Sequence, residues 1–172
     1  MRVVPLLFGR RREIERLFSV TASAFACPLP PARLRGAAGR LREYMRFTSE
    51  QAALAIADGK RRALVERRLF RGAFLLGSRL RRRMRIRSVS EARQAARIVY
   101  RGLGIDFRAG ENGKVVIRRC GFSSSYSSEV CALMSAMDRG LLAGLAYYRE
   151  LCFSRRITDG APECTACLVR RA

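Results

Sequence analysis

Two cysteines and an aspartate on one short segment are the residues best suited to chemistry. The segment starts at Cys120, passes through a serine-rich stretch to Cys131 and reaches Asp138. A thiolate can attack a carbon or bind a soft metal, and a carboxylate can move a proton or pair with a cation. Ser135 lies between Cys131 and Asp138 at a spacing of four and then three residues, so a helix would place all three on one face.

The sequence contains no histidine. This excludes the usual forms of the serine–histidine–aspartate and cysteine–histidine nucleophile systems, because both need an imidazole base. It also excludes zinc sites that are built on pairs of histidines. Any chemistry must therefore come from thiols, carboxylates, hydroxyls, arginine guanidinium groups or backbone amides.

The predicted helix after the serine-rich stretch would make Cys131 reactive. With Ser128 as its N-cap, Cys131 occupies the third helical position, where backbone amides are unpaired and the helix dipole lowers a thiol pKa. The alternative is a small buried cysteine that only packs. Asp138 lies beside an apolar stripe, where a carboxylate is costly to bury unless it is paired or used. We expect a general acid or base there, and a salt bridge to an arginine is the alternative.

Hydroxyl groups cluster at the start of the same helix. Tyr126 and the serines around it provide donors at a helix N-terminus, an arrangement that favours a bound anion; an ordinary capped loop is equally compatible. Tyr126 and Ser135 are therefore the predicted substrate-binding residues. Cys120 ends a predicted strand, a place from which a side chain reaches the mouth of a site.

The remaining cysteines give weaker signals. Cys164 and Cys167 fall on a predicted strand, so their side chains should point to opposite faces, which argues against a redox or zinc knuckle. Cys152 and Cys167 are predicted to be core residues, and Cys27 a structural one. If a metal is bound, we expect zinc or iron on Cys120, Cys131 and Cys164; otherwise no cofactor is expected.

Composition bounds the possible partners. The chain has 172 residues and a formal net charge of +21, carried almost entirely by arginine. Arginine enrichment is typical of a GC-rich genome, so a solvated surface is favoured over a nucleic-acid site, although the run at residues 79–87 could hold phosphates.

No apolar run of about 18 residues occurs and the opening residues do not resemble a signal peptide, so we expect a cytoplasmic protein with reduced cysteines and no membrane contact. The sequence leaves a homodimer open.

Helical patterns fill the first part of the chain. Apolar spacing predicts a helix over Arg11–Phe25, and Pro31 predicts the start of a second helix that ends near residue 47. Thr48 begins a capping-box pattern for a third helix, with a kink near Gly59. A further capping box at Ser88 opens a helix that glycines end before residue 105.

Strand patterns begin at residue 105. Asn112-Gly113 signals a hairpin turn, since this dipeptide adopts positive φ readily. The predicted elements are strands over 105–108 and 114–118, a helix over 127–148, and a second hairpin with strands over 151–157 and 164–169. The sequence therefore predicts one α+β domain over residues 1–172. A helical layer (1–104) precedes an antiparallel sheet of two hairpins with a helix between them (105–172), which carries the site.

The C-terminal motifs resemble the L-2-amino-thiazoline-4-carboxylic acid hydrolase family over roughly the last 60 residues. The motifs that carry this resemblance are Arg-Cys120-x-Phe, Tyr126, Cys131, Ser-Ala-x-Asp138 and Phe153-x-x-Arg-Ile-Thr158-x-Gly160-x-x-x-Cys164. The resemblance implies a cysteine-dependent hydrolase that opens a small cyclic amidine or thiazoline acid by cleaving a carbon–nitrogen bond. Cys131 would then be the nucleophile or a leaving-group stabiliser and Asp138 the general acid or base. Cys120 would line the site, and an arginine would hold the substrate carboxylate.

A second resemblance covers the last 40 residues. The motifs Gly140-Leu-Leu-Ala-Gly144-Leu and Gly160-x-x-x-Cys164 are similar to the four-vinyl-reductase-type ligand-binding domain. This resemblance implies a sensor that binds a small molecule or a metal without catalysis. An arginine-rich nucleic-acid-binding protein is the third possibility.

Overall fold

Helices form the first part of the described chain, and an antiparallel sheet lies in its C-terminal part. The computed structural model describes residues 11–146 and 149–170. None of the helices in these ranges combines the length and the apolar character needed to cross a membrane. The elements are α1 (Arg11–Phe25), α2 (Gly36–Ile56), α3 (Gly59–Arg83), α4 (Val89–Gly102), β1 (Ile105–Ala109), β2 (Lys114–Cys120), α5 (Ser128–Leu145), β3 (Arg149–Arg155), and β4 (Cys164–Arg170).

The α+β prediction is confirmed, including the helix between two hairpins. The four strands are all antiparallel and lie in the order β1-β2-β4-β3, so β2 and β4 join the hairpins into one sheet. The first turn occurs where Asn112-Gly113 predicted it, with Gly113 at a φ of 81°. The second turn, between β3 and β4, contains a 3-10 segment at Ile157–Asp159.

Two helix starts were predicted from capping boxes, and one of them is confirmed. The Ser88 hydroxyl accepts the Glu91 amide at 3.1 Å, and the Glu91 carboxylate accepts the Ser88 amide at 3.0 Å. The pattern at Thr48 is wrong as a cap, because α2 continues through it to Ile56. The Thr48 hydroxyl instead donates to the Tyr44 carbonyl one turn earlier, at 2.8 Å, a bond that threonine makes inside helices.

The boundaries of α2 and α3 also differ from the prediction. The second helix begins at Gly36 rather than at Pro31, and the chain before it is held by Glu43, whose carboxylate accepts the Leu34 amide at 2.6 Å. The expected kink near Gly59 is a break between two helices. Asp58 caps the second of them by accepting the Lys60 amide at 3.1 Å.

Helix α5 occupies the centre of the molecule, because it packs on α3 along one side and on β3 along another. Its contact with α3 is very close, since added β-carbons at Gly140 and Gly144 would collide with the carbonyl oxygens of Phe70 and Phe74. The same holds for Gly77 on α3, which faces the Leu141 carbonyl. This packing fixes the position of the residues on the remaining face of α5.

Candidate functional site

A small, mainly apolar cavity of about 100 Å³ lies between α5, the strand β1 and the helices α1 to α4. Five of the six predicted site residues line it: Cys120, Tyr126, Cys131, Ser135 and Asp138. The sixth, Cys164, lies outside the lining. Cys131, Ser135 and Asp138 therefore lie on one face of α5, as their spacing predicted.

Asp138 is the most unusual group in the cavity. Its carboxylate accepts a hydrogen bond from the Tyr100 hydroxyl at 2.9 Å. Burial raises the pKa of Asp138 to about 6 from the usual 3.8, and it outweighs this hydrogen bond and the charges of Arg156 and Arg139, which act to lower it. The alternative of a salt bridge is not found within the described residues.

Tyr100 comes from α4, in the part of the chain that gave no site signal. It is fully buried and stacks on Phe107 with ring centroids 4.6 Å apart. Burial, and then the charge of Asp138, raise the pKa of Tyr100 well above its usual value, so the phenol stays a donor. Sequence reasoning missed Tyr100 and also Tyr44, another cavity residue from α2. The available signal was a tyrosine on a core-facing helix stripe, whose hydroxyl needs a buried partner.

Cys131 differs from the prediction in two ways. Ser127, not Ser128, is the N-cap of α5, because its hydroxyl accepts the Val130 amide at 3.3 Å. The Cys131 amide is thus already paired, with the Ser127 carbonyl at 2.9 Å. Burial raises the pKa of the Cys131 thiol, so the expected lowered pKa is wrong. The physical reason is that desolvation of a thiolate exceeds the weak field one residue further into the helix.

The other two thiols of the predicted site are also shielded. Burial raises the pKa of Cys120 to about 11, and the charge of Asp138 adds to the effect. Cys164 is buried on β4, where burial raises its pKa although its sulfur accepts the Ile157 amide at 3.3 Å. Among the described residues, no three histidine, cysteine, aspartate or glutamate side chains are placed to hold one metal ion. Zinc or iron on Cys120, Cys131 and Cys164 stays a prediction.

The predicted substrate-binding hydroxyls have hydrogen-bond partners within the protein. The Tyr126 hydroxyl shares a hydrogen bond with Thr48 at 2.5 Å, and Ser135 donates to the Cys131 carbonyl at 2.7 Å. Ser123 likewise donates to the Cys120 carbonyl at 2.7 Å. Two serines of this stretch therefore form a local turn and a helix cap, and anion binding there stays a prediction.

Cys152, Cys164 and Cys167 lie outside the cavity lining. Cys164 is buried and Cys167 is exposed, which confirms that they point to opposite faces of β4. Cys152 and Cys167 were predicted to be core residues, and this is wrong because both are exposed. They lie directly opposite each other on β3 and β4, on the face that carries no helix.

The turn between β3 and β4 borders Cys131. In the described part of the chain, the Nε of Arg156 and the hydroxyl of Thr158 are buried without a hydrogen-bond partner. The Thr158 hydroxyl faces the Cys131 sulfur and acts to lower the thiol pKa, although the two atoms do not reach hydrogen-bond geometry. Arg156 and Thr158 belong to the motif that carries the first resemblance, but neither was predicted to be a site residue.

A wide basic groove lies outside the cavity. It has a volume of about 810 Å³ and shares Ile105 and Cys120 with the cavity lining. Five arginines line the groove: Arg97, Arg101, Arg108, Arg118 and Arg119. An anionic small molecule would be attracted to this side of Cys120.

The predicted basic run at residues 79–87 lies at the end of α3 and just beyond it. Arg79 and Arg83 line a second groove, of about 1000 Å³, between α1 and α3. Arg83 is also 3.6 Å from the Glu13 carboxylate, so part of this charge is compensated. Binding of nucleic acid there stays a prediction.

Comparison with known proteins adds no assignment, because no family model and no curated protein matches the sequence. The two resemblances therefore stay predictions. What the site can do follows from the geometry described above.

Proposed function

We propose that the protein hydrolyses a small cyclic amidine acid of the 2-amino-thiazoline-4-carboxylate type, with Asp138 as the acid–base group. The observation that carries this proposal is the Asp138 carboxyl. It lines a small apolar cavity, accepts a hydrogen bond from Tyr100, and has a pKa of about 6. A carboxyl that titrates near neutrality can take a proton and return it, and such groups are concentrated at functional sites.

The form of the cavity supports an amidine as the ligand. A protonated amidine is a planar cation with parallel N–H donors, so it pairs with a carboxylate in the two-pronged manner of arginine. The pairing is stronger in an apolar cavity than in water. Met134 and Met137 line the same cavity, and their polarizable sulfurs suit a sulfur-containing ring. The volume of about 100 Å³ suits a single small ring.

The thiols do not support the role of nucleophile that the resemblance implies for Cys131. Burial raises the pKa values of Cys131 and Cys120, so both thiols are protonated near neutral pH. A protonated thiol is a poor nucleophile. We therefore assign the attack to water and leave the thiols as part of the cavity wall.

The hydrolysis then proceeds in two stages. Asp138 takes one proton from water while the water oxygen bonds to the amidine carbon. The carboxyl returns that proton to the ring nitrogen as the ring carbon–nitrogen bond breaks. The second water proton follows the same route, so both protons end on the freed amine and the oxygen becomes a carbonyl. No cofactor is needed for these two reaction steps.

The test combines turnover and binding on the purified, reduced protein. We expect 2-amino-thiazoline-4-carboxylate to bind in calorimetry and to release one free amine per ring opened. Proline, a cyclic acid with no amidine, serves as the control ligand and should not bind. The absence of both heat and turnover would contradict the proposal.

A second candidate is a non-catalytic small-molecule sensor. The protonated thiols and the apolar wall favour it, because a cavity of this kind binds ligands without needing any reaction. Saturable binding without amine release would support the sensor. Stoichiometric zinc or iron in the reduced protein, measured by plasma mass spectrometry, would instead indicate binding through thiolates.

A further inference from the structure

Two buried donors in the turn between β3 and β4 lack partners. Within the described residues, the Arg156 Nε and the Thr158 hydroxyl are shielded from solvent and make no hydrogen bond. Buried polar groups are nearly always paired, because an unpaired one loses its bonds to water without compensation. Two such groups, two residues apart on one turn, are available to bind the acceptor atoms of a ligand.

The turn that carries these donors is firmly held. The Asp159 amide donates to the Arg156 carbonyl and the Gly160 amide to the Ile157 carbonyl, both at 3.0 Å. The Ser128 hydroxyl donates to the Asp159 carboxylate and so ties the turn to the start of α5. The Arg156 guanidinium lies over the Phe153 ring, 4.9 Å from its centroid. Donors fixed in this way bind a ligand with little loss of conformational entropy.

The position of Arg156 relates it to the cavity. Its charge acts to lower the pKa values of Asp138, Cys131 and Cys164, so the guanidinium lies within electrostatic reach of the cavity, although it is not part of the cavity lining. The nearest carboxylate partner in the described chain is that of Asp159, at 4.0 Å. This contact is made by Nη1 of Arg156, so the Nε donor is free for another acceptor. A cationic donor and a hydroxyl, both beside Cys131, suit a carboxylate.

We infer that Arg156 and Thr158 bind the carboxylate of the substrate whose amidine end lies at Asp138. This inference rests on the proposed function and identifies the two residues that hold the anionic end of its zwitterionic substrate. The cationic end pairs with Asp138 and the anionic end with the Nε–H of Arg156 and the hydroxyl of Thr158. A cyclic amidine without a carboxylate would leave both donors unpaired and would bind more weakly for that reason.

The experiment compares two probes by calorimetry: 2-amino-thiazoline-4-carboxylate and 2-amino-thiazoline, which lacks the carboxylate. We expect Arg156→Gln to weaken binding of the first probe on the order of 50-fold, the scale of a hydrogen bond to a charged group. Thr158→Val should weaken it about fivefold, the scale of a neutral hydrogen bond. Neither change should alter binding of the second probe. Arg155→Gln is the matched control, since its exposed neighbouring side chain should affect neither probe.

Each outcome decides the inference. Equal weakening of both probes by Arg156→Gln, or equal affinity of the unchanged protein for both probes, would overturn the carboxylate site. Amine release from the first probe would then still support the proposed function. If the unchanged protein binds neither probe, both proposals fail. Arg156→Lys separates folding from binding, because it keeps the charge without the forked donor and should restore only part of the affinity. Melting curves of all variants confirm that they are folded.

Discussion

The two faces of α5 differ in whether they can accommodate larger side chains. The face toward α3 carries Gly140 and Gly144, where backbone touches backbone and no side-chain atom can be added. The face toward the cavity carries Cys131 and Asp138, which border open space. The comparison shows that one helix of 18 residues separates the packing that holds the fold from the groups that can react.

The two faces also differ energetically. Close packing on α3 stabilises the folded chain through many van der Waals contacts. Asp138, in contrast, destabilises it near neutral pH, because its ionised form is poorly solvated in the cavity. A group that lowers stability and makes no stabilising ion pair is expected where function requires it. Variants on the two faces should therefore have opposite effects on stability and activity.

The largest effect on stability is expected from a substitution on the face of α5 that packs against α3. In Gly144→Ala the new β-carbon would collide with the Phe74 carbonyl oxygen and the Ser78 amide. The helices must move apart, which should cost on the order of 3 kcal/mol of unfolding free energy. Urea denaturation measures the loss.

The matched control is Gly59→Ala at the start of α3, where an added β-carbon meets nothing within 4 Å. This variant should be neutral or more stable by up to about 1 kcal/mol, since alanine reduces the entropy of the unfolded chain. Equal stability of the two alanine variants would contradict the close packing of α5 on α3.

The next effect is expected on the cavity face. Asp138→Asn preserves the shape of the side chain and removes its charge, so turnover of 2-amino-thiazoline-4-carboxylate should fall about a hundredfold or more. Unfolding free energy at pH 7 should stay the same or rise, by up to about 3 kcal/mol, because the ionised form no longer has to be buried. Steady-state kinetics and urea denaturation measure the two quantities.

Asp58→Asn is the control for this variant, because asparagine caps a helix as well as aspartate does and Asp58 lies away from the cavity. It should change neither turnover nor stability. If Asp138→Asn melted much earlier while the folded molecules kept normal activity, Asp138 would be a structural brace rather than a catalyst.

The sequence predicted the fold well because its strongest signals are local. Ser88 was a true cap, since the residues after it begin a new apolar stripe. Thr48 matched the same pattern inside a continuous helix, where its hydroxyl bonds back to Tyr44. The difference lies in burial: Thr48 is enclosed by the core, and a capping pattern contains no information about that.

The sequence predicted only those site residues that lie close to one another along the chain. Cys120, Cys131 and Asp138 lie on one segment, so their spacing was sufficient to bring them together. Tyr100 reaches the same region from a distant part of the chain, and no spacing rule connects it to that segment. Arg156 lies in a quoted motif, but the motif does not show that its charge acts on Asp138. The direction of the Cys131 pKa shift was missed as well, because desolvation depends on the finished packing.

The pH dependence follows from the same carboxyl. As a general base Asp138 must be ionised, so kcat/KM should fall about tenfold for each pH unit below its pKa of about 6. The free energy of unfolding changes in the opposite direction. The pKa of Asp138 is about 6 in the folded chain and 3.8 in the unfolded chain, so the folded chain binds the proton more tightly. The resulting stabilisation is complete below pH 3.8 and is lost as the pH rises through 6. In Asp138→Asn the stability change across this window should disappear. A wild-type profile that is flat from pH 5 to 7 would contradict the role of base.

The smallest effect is expected from Cys131→Ser, and it distinguishes the role of Cys131 from that of Asp138. With water as the nucleophile, the thiol only completes the cavity wall, so turnover should fall by less than about tenfold, far below the loss that general acid–base groups cause. Iodoacetamide should correspondingly label the exposed Cys152 and Cys167 well before Cys131, whose burial raises its pKa. Peptide mass spectrometry measures the order of labelling. Loss of nearly all activity in Cys131→Ser, together with rapid labelling of Cys131, would assign covalent chemistry to this thiol and leave Asp138 in an auxiliary role.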